Sequence, residues 1–300
     1  MTEVATQARP ARSLPTVRRS GRLVGRWLLR RPLTLVGAVI VLVVSSAGLA
    51  APLLAPYNPL AIDIVGRLQP LSRAHPFGTD HLGRDLLSRI IYGARVSLGV
   101  GVTIAALGAL TGTVLGLLAG YLGGKVDETI MRICDMFLAF PALILAMALA
   151  ASLGPSLGNT MLALVIIWWP WYARIMRGQV LALRESEYVM AARALGASTQ
   201  RLMFRHLLPN AIPPIIVQAT LDIGNAILIA SSLSFLGFGA QPPVPEWGAI
   251  TSEGRTFLRD YWWYPTFPGL AIMITVMGFN LMGDGLRDLL DPRLRRQVGR

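Results

Sequence analysis

Long stretches without charge alternate with short polar ones along this chain. Residues 33–55 carry no charged side chain and exceed the roughly 20 residues a helix needs to cross the hydrocarbon core of a membrane. Residues 57–95 then break the pattern with prolines, three aspartates and five arginines. A second uncharged run, 96–124, is rich in Gly and Ala, which suits close helix packing in lipid. A charged return at 125–135 leads into 136–173, uncharged and long enough for two spans, with a break at 153–159. The fourth span is expected to end in the aromatic cluster Trp168, Trp169, Pro170, Trp171, Tyr172, placed at a membrane interface and followed by Arg174 and Arg177. Residues 211–240 form a fifth span interrupted only by Asp222, and 261–283 a sixth, separated by a Pro-rich polar loop. This pattern predicts an all-α integral membrane protein with six transmembrane helices.

Composition agrees, since 53% of the 300 residues are hydrophobic. The net charge of +12 would point to nucleic acid in a soluble chain, but here the arginines cluster at the ends of apolar runs. With six spans, 21 of the 28 basic residues fall on the side of both termini and seven on the other. By the positive-inside rule the first side is cytoplasmic, and no nucleic-acid partner is called for. Cys134 is the single cysteine, which excludes an intrachain disulfide or a cysteine-based metal site. The first apolar run begins only after some thirty residues and is long enough to span, unlike a cleaved signal.

Within 57–95, residues 85–92 alternate charged and apolar positions at helical spacing and predict a short amphipathic helix in the interface. His75, Asp80, His81 and Asp85 could ligate a metal, but their spacing matches no standard site, and capping and bracing this helix is the favoured role. Between the fourth and fifth spans, residues 187–210 form a polar, Arg-rich island. It predicts two short helices hinged at Gly196, the second capped by Ser198 or Thr199 and ended by Pro209. Ala191 and Ala192 would leave a nearly bare face open to another backbone. The alternative is an amphipathic helix pair resting on the membrane surface.

Catalytic chemistry is not apparent. Gly124-Lys125 is the nearest thing to a phosphate loop, but Ala119 and Val126 replace its required Gly and Ser or Thr. Secondary transporters bury several ionisable residues near the midplane, whereas Asp222, with Asn225 one turn later, is the only acid deep in a span. A packing role or a position lining an aqueous pathway suits this pair better than a proton relay.

The spacing of Ala191, Ala192, Gly196, His206, Leu208 and Pro209, together with Glu187, resembles the EAA loop of ABC-importer permeases. Met190 and His206 stand where that motif has Glu and Ile. The Gly78-Thr-Asp and Gly83-Arg-Asp runs, residues 232–239 and 241–248, and Phe267-Pro-Gly-Leu-Ala are similar to signatures of the C-type permease subunits of dipeptide and oligopeptide importers. The resemblance implies a type I ABC-importer fold with a cytoplasmic coupling-helix loop at 185–209. It implies a basic tail at 1–32, a first helix at 33–56, an extracytoplasmic segment at 57–95, a transmembrane domain at 96–285 and a tail at 286–300. It also implies four kinds of partner: a homologous permease subunit, two ATPases that bind the ATP, an extracytoplasmic binding protein, and the lipid of a bacterial cytoplasmic membrane. Nickel, glutathione or oligosaccharide permeases of the same class, and a self-sufficient secondary transporter, are the alternatives.

Overall fold

A computed structural model of the protein describes residues 31–290, so the expected tails at 1–30 and 291–300 lie outside the described residues. Helix α1 (Pro32–Leu49) starts on a proline, whose missing N–H costs nothing in a first turn, and breaks at Ala50 before the single turn α2 (Ala51–Leu54). Pro52 sits in the first turn of α2. After an irregular stretch, α3 (Leu86–Leu122) runs for 37 residues, about 55 Å at 1.5 Å per residue.

Its beginning corrects the expected interfacial helix at 85–92, because those residues are the cap and first two turns of α3. Leu86, Ser88 and Arg89 are fully buried there. Asp85 caps α3 by accepting from the Ser88 backbone N–H (2.8 Å) and hydroxyl (2.7 Å). Asp80 and Glu253 neutralise Arg84 and Arg89, so charges that mark a membrane boundary in the sequence lie in the interior.

Helix α4 (Gly124–Leu138) opens on two glycines at positive φ, the capping Gly123 and its own first residue Gly124, and α5 (Ala142–Leu153) bends 91° away from it. Then comes α6 (Leu157–Arg184), with Ser156 capping its first turn. The aromatic cluster does not end this helix at an interface. Tyr172 is fully buried and Trp168 nearly so, inside a helix that runs on for another three turns. The reason lies on α3, where Gly108, Gly112, Gly116 and Gly120 repeat every fourth residue and let α6 lie directly on the backbone. A Cβ on Gly112 would fall 2.4 Å from the Trp169 carbonyl oxygen, and one on Gly116 2.4 Å from that of Ala173. The α3–α6 pair is the most extensive helix packing in the molecule.

The chain then forms α7 (Glu187–Ala194), a turn α8 (Thr199–Arg201), a π-helical segment (Leu202–Leu207) and α9 (Leu208–Phe235). Helix α10 (Trp247–Gly254) tucks into the loop before α11 (Trp263–Leu290). Glu246 caps α10 through the N–H groups of Gly248 and Ala249, and its buried carboxylate also accepts from Ser97 of α3 and Ser231 of α9. Helix α11 packs antiparallel against α9 and carries α1 on its far side, at Gly278 and Gly285.

No β-strand occurs among the described residues. Four helical spans are long and apolar enough to cross a membrane, five if the bent α4–α5 pair is one crossing. The expected fourth span corresponds to α6, which is 28 residues long but is not among these apolar helices. Its tryptophans and arginines make it more polar than the others.

Candidate functional site

The loop between α6 and α9 is fixed at its base and open at its tip. At the base, the Arg177 guanidinium on α6 pairs with both carboxylate oxygens of Asp127 on α4, and Arg184 donates to the Gly120 carbonyl at the end of α3 (3.2 Å). Four buried apolar side chains, Val189, Leu202, Met203 and Leu207, anchor the loop itself to the bundle core.

Helix α7 ends in a Schellman motif: Gly196 N–H bonds back to the Arg193 carbonyl (3.0 Å) and Ala197 N–H to that of Ala192 (3.1 Å). Gly196 takes φ +80°, as the hinge reading predicted, and open space surrounds the point where a Cβ would stand. Ser198 then caps the next turn through the Arg201 N–H (3.4 Å). Pro209 does not end the second helix. It lies in the first turn of α9, and the π-helical segment joins α8 to α9 without a stop. A proline needs no amide partner in a first turn, which is why it reads as a terminator in sequence and is not one here.

The proposed coupling residues divide by exposure. Glu187, Ala191 and Gly196 are exposed on the tip, and Pro209 is exposed farther along. Ala192 and Leu208 pack against the core, and His206 is half-buried. The outward face is thus built on Ala191, with Ala192 turned toward its own bundle. Around it stand apolar side chains the sequence reading passed over: Leu195 is 89% exposed and Phe204 61%, with Met190 and Tyr188 nearby in the same loop. Arg193, Arg201 and Arg205 are exposed between them. Large apolar residues in an arginine-rich polar loop were the available signal.

Asp222 is buried near the middle of α9, where Gln218 Nε2 donates to its Oδ1 (3.0 Å). Its Oδ2 is buried without a hydrogen-bond partner, and Tyr172 and Trp168 of α6 lie near the carboxyl group. Asn225 instead points to an open face of α9. The two residues do not form one site.

At the opposite end, the ligand atoms of Asp80, His81 and Glu253 lie within 4.8 Å of one another, the one such trio among the described residues. Arginine already occupies both carboxylates. Arg89 Nη1 is 2.7 Å from Asp80 Oδ2, and Arg84 Nη2 is 2.9 Å from Glu253 Oε2. The Tyr264 hydroxyl also donates to Glu253 and contacts His81 Nδ1 (2.7 Å), while His75 pairs with Asp85 (2.9 Å). These residues cap and brace, which suits an ion-pair network and not a cation site.

Together these features define an α-helical membrane protein with a protruding two-helix loop in the middle of its bundle. The family model described as "Binding-protein-dependent transport system inner membrane component" matches residues 112–296. The chain is 51% identical over 268 residues to the probable D,D-dipeptide transport system permease protein DdpC of Escherichia coli, covering 89% of this chain and 90% of that one. It is 49% identical to the dipeptide transport system permease protein DppC of Alkalihalophilus pseudofirmus (90% and 89% covered). Identity to the glutathione transport system permease protein GsiD of Pectobacterium atrosepticum is 43%, with 93% of each chain covered. In fold it is similar to a chain of the inward-facing MetNI methionine ABC transporter, with a TM-score of 0.55 at 20% identity, over 68% of this chain and 96% of that one. The protein belongs to the binding-protein-dependent transport system inner membrane components, the permease subunits of ABC importers.

Proposed function

We propose that this chain is one half of the pore of an ATP-driven importer of dipeptides or short oligopeptides. The observation that carries the substrate class is 51% and 49% identity, over about nine-tenths of the chain, to permeases named for dipeptide transport. The glutathione permease relative favours a second reading within the same chemistry, since glutathione is itself a short peptide.

In this reading a homologous permease supplies the other half of the pore. Two ATPases dock on the α7–α8 loops of the pair, and a binding protein delivers peptide at the Asp80–Glu253 end. Both termini and the loop then lie in the cytoplasm. The chain itself performs no covalent chemistry and binds no cofactor; ATP belongs to the partner subunits. Its contribution is a change between two arrangements, whose balance the ATPases bias through the loop. The firm base of the loop supports this, because Arg177–Asp127 and Arg184–Gly120 would carry a push on the tip into α3, α4 and α6.

The test is reconstitution of the chain with its partner permease, ATPases and binding protein in liposomes. ATP-dependent uptake of a labelled dipeptide is expected from the full set and none from this chain alone. Uptake by the isolated chain would replace this reading with a self-sufficient transporter, and uptake of nickel or an oligosaccharide in place of peptide would overturn the substrate class.

A further inference from the structure

Helix α9 repeats a polar residue at Gln218, Asn225 and Ser232, seven positions apart and therefore in one line, with about 10 Å between rungs. Asn225 is exposed although it lies at the middle of a span. Helix α11 has an exposed amide at the same depth, Asn280. The register follows from the packing: Gly224 lies against Phe279, and Gly283 against Leu221. Asn225 and Asn280 each stand one position beyond one of these contact residues. In an antiparallel pair that step turns both side chains to the same side. Neither makes a side-chain hydrogen bond with any described residue. Two exposed methionines, Met273 and Met277, continue this side of α11. The line ends in clefts, one of about 360 Å³ bounded by Gln218, Leu221 and Arg287, the other of about 280 Å³ bounded by Leu228, Ser232 and Thr251.

An unpaired amide facing hydrocarbon has no partner to replace water, and polar residues in a span characteristically face a bundle interior or a water-filled cavity. We infer that Asn225 and Asn280 line the translocation path and hydrogen-bond the backbone amide groups of the passing peptide. This rests on the proposed peptide-importer function and deepens it. A carboxamide presents one acceptor and two donors with no charge, matching the C=O and N–H that every peptide carries whatever its side chains. Methionine supplies the complementary property, a flexible apolar surface that adapts to different side chains. Asp222 is buried beside this line, its carboxylate held by Gln218.

The test uses the assembled transporter, with Cys134→Ser in this chain and single Asn225→Cys or Asn280→Cys substitutions. A membrane-impermeant charged methanethiosulfonate should label both positions, and a saturating dipeptide should slow labelling at least tenfold. Val39→Cys on the exposed face of α1 should remain unlabelled. Absence of labelling at both asparagine positions would overturn the proposal and assign this side to lipid or to the partner permease. Labelling that no di- or tripeptide slows would overturn the assigned ligand. Separately, Asn225→Ala with Asn280→Ala should lower dipeptide uptake at least tenfold with ATPase co-purification unchanged, whereas Asn225→Gln should restore most of it. Unchanged uptake in the double variant would contradict the inference. If the unsubstituted complex itself moves no dipeptide, the peptide reading of the protein has failed, independently of what labelling says about the path.

Discussion

The two ends of the bundle are built on opposite principles. At the Asp80–Glu253 end, charges are buried and paired with one another: Asp80 accepts from Arg84 and Arg89 with no exposure, and Glu253 faces both arginines and accepts from Tyr264. At the loop end, charged and large apolar side chains are left in the open, with Leu195, Phe204 and three arginines facing outward. A charge network completed inside one chain needs no partner to hold its shape. An apolar surface left uncovered in a polar, arginine-rich loop fits a second protein. If the loop couples as proposed, stability and coupling fall to different ends, and substitutions should separate them.

The largest effect on stability is expected at Arg89. Replacing it with Leu leaves Asp80 and Glu253 to share Arg84 alone in a largely buried site, and breaking one partner of such a pair costs on the order of 3–5 kcal/mol. Arg89→Leu should sharply lower the yield of folded protein and its unfolding temperature in detergent. A variant as stable as the parent would show that the network is ornamental. Gly112→Val comes next, because its Cβ would sit 2.4 Å from the Trp169 carbonyl oxygen and backbone cannot move aside cheaply. Overpacking of this kind costs about 1–3 kcal/mol, read as a lower thermal midpoint. At Gly196, a Val would be forced into positive φ in open space, a local strain of roughly 1–2 kcal/mol. Gly196→Val should therefore leave the bundle folded while misaiming α7, so that ATPase-coupled uptake falls much further than the melting temperature does.

Much of this was legible in the sequence. Uncharged runs placed the long helices, and Gly196 after a run of helix formers announced the hinge that its φ of +80° realises. Glycine-rich residues 96–124 announced close packing, though not its partner. The readings that changed all depended on residues distant in sequence. Arg84 and Arg89 marked a boundary because nothing local reveals Glu253, 169 positions beyond Arg84. Trp168 and Tyr172 resembled an interfacial belt because the room made for them belongs to Gly108 and Gly112 of another helix. Pro209 looked like a stop because the π-helical junction that carries the chain past it has no sequence signature. In the loop, Ala191 and Ala192 were indistinguishable until the buried side of α7, set by Val189, was known.

The central claim, that the loop tip is where the ATPases dock, is tested most directly by Ala191→Arg. Ala191 is exposed and outside the bundle core, so the substitution should leave the unfolding temperature unchanged. An arginine pressed into a close protein contact would still clash and go unpaired, and each 1.4 kcal/mol lost is a tenfold loss of affinity. Co-purification of the ATPase subunits with the intact permease pair is the measurement. The account predicts at least a tenfold drop in ATPase recovery at full permease yield; recovery and peptide uptake equal to the parent would contradict it and leave the loop a passive surface helix pair.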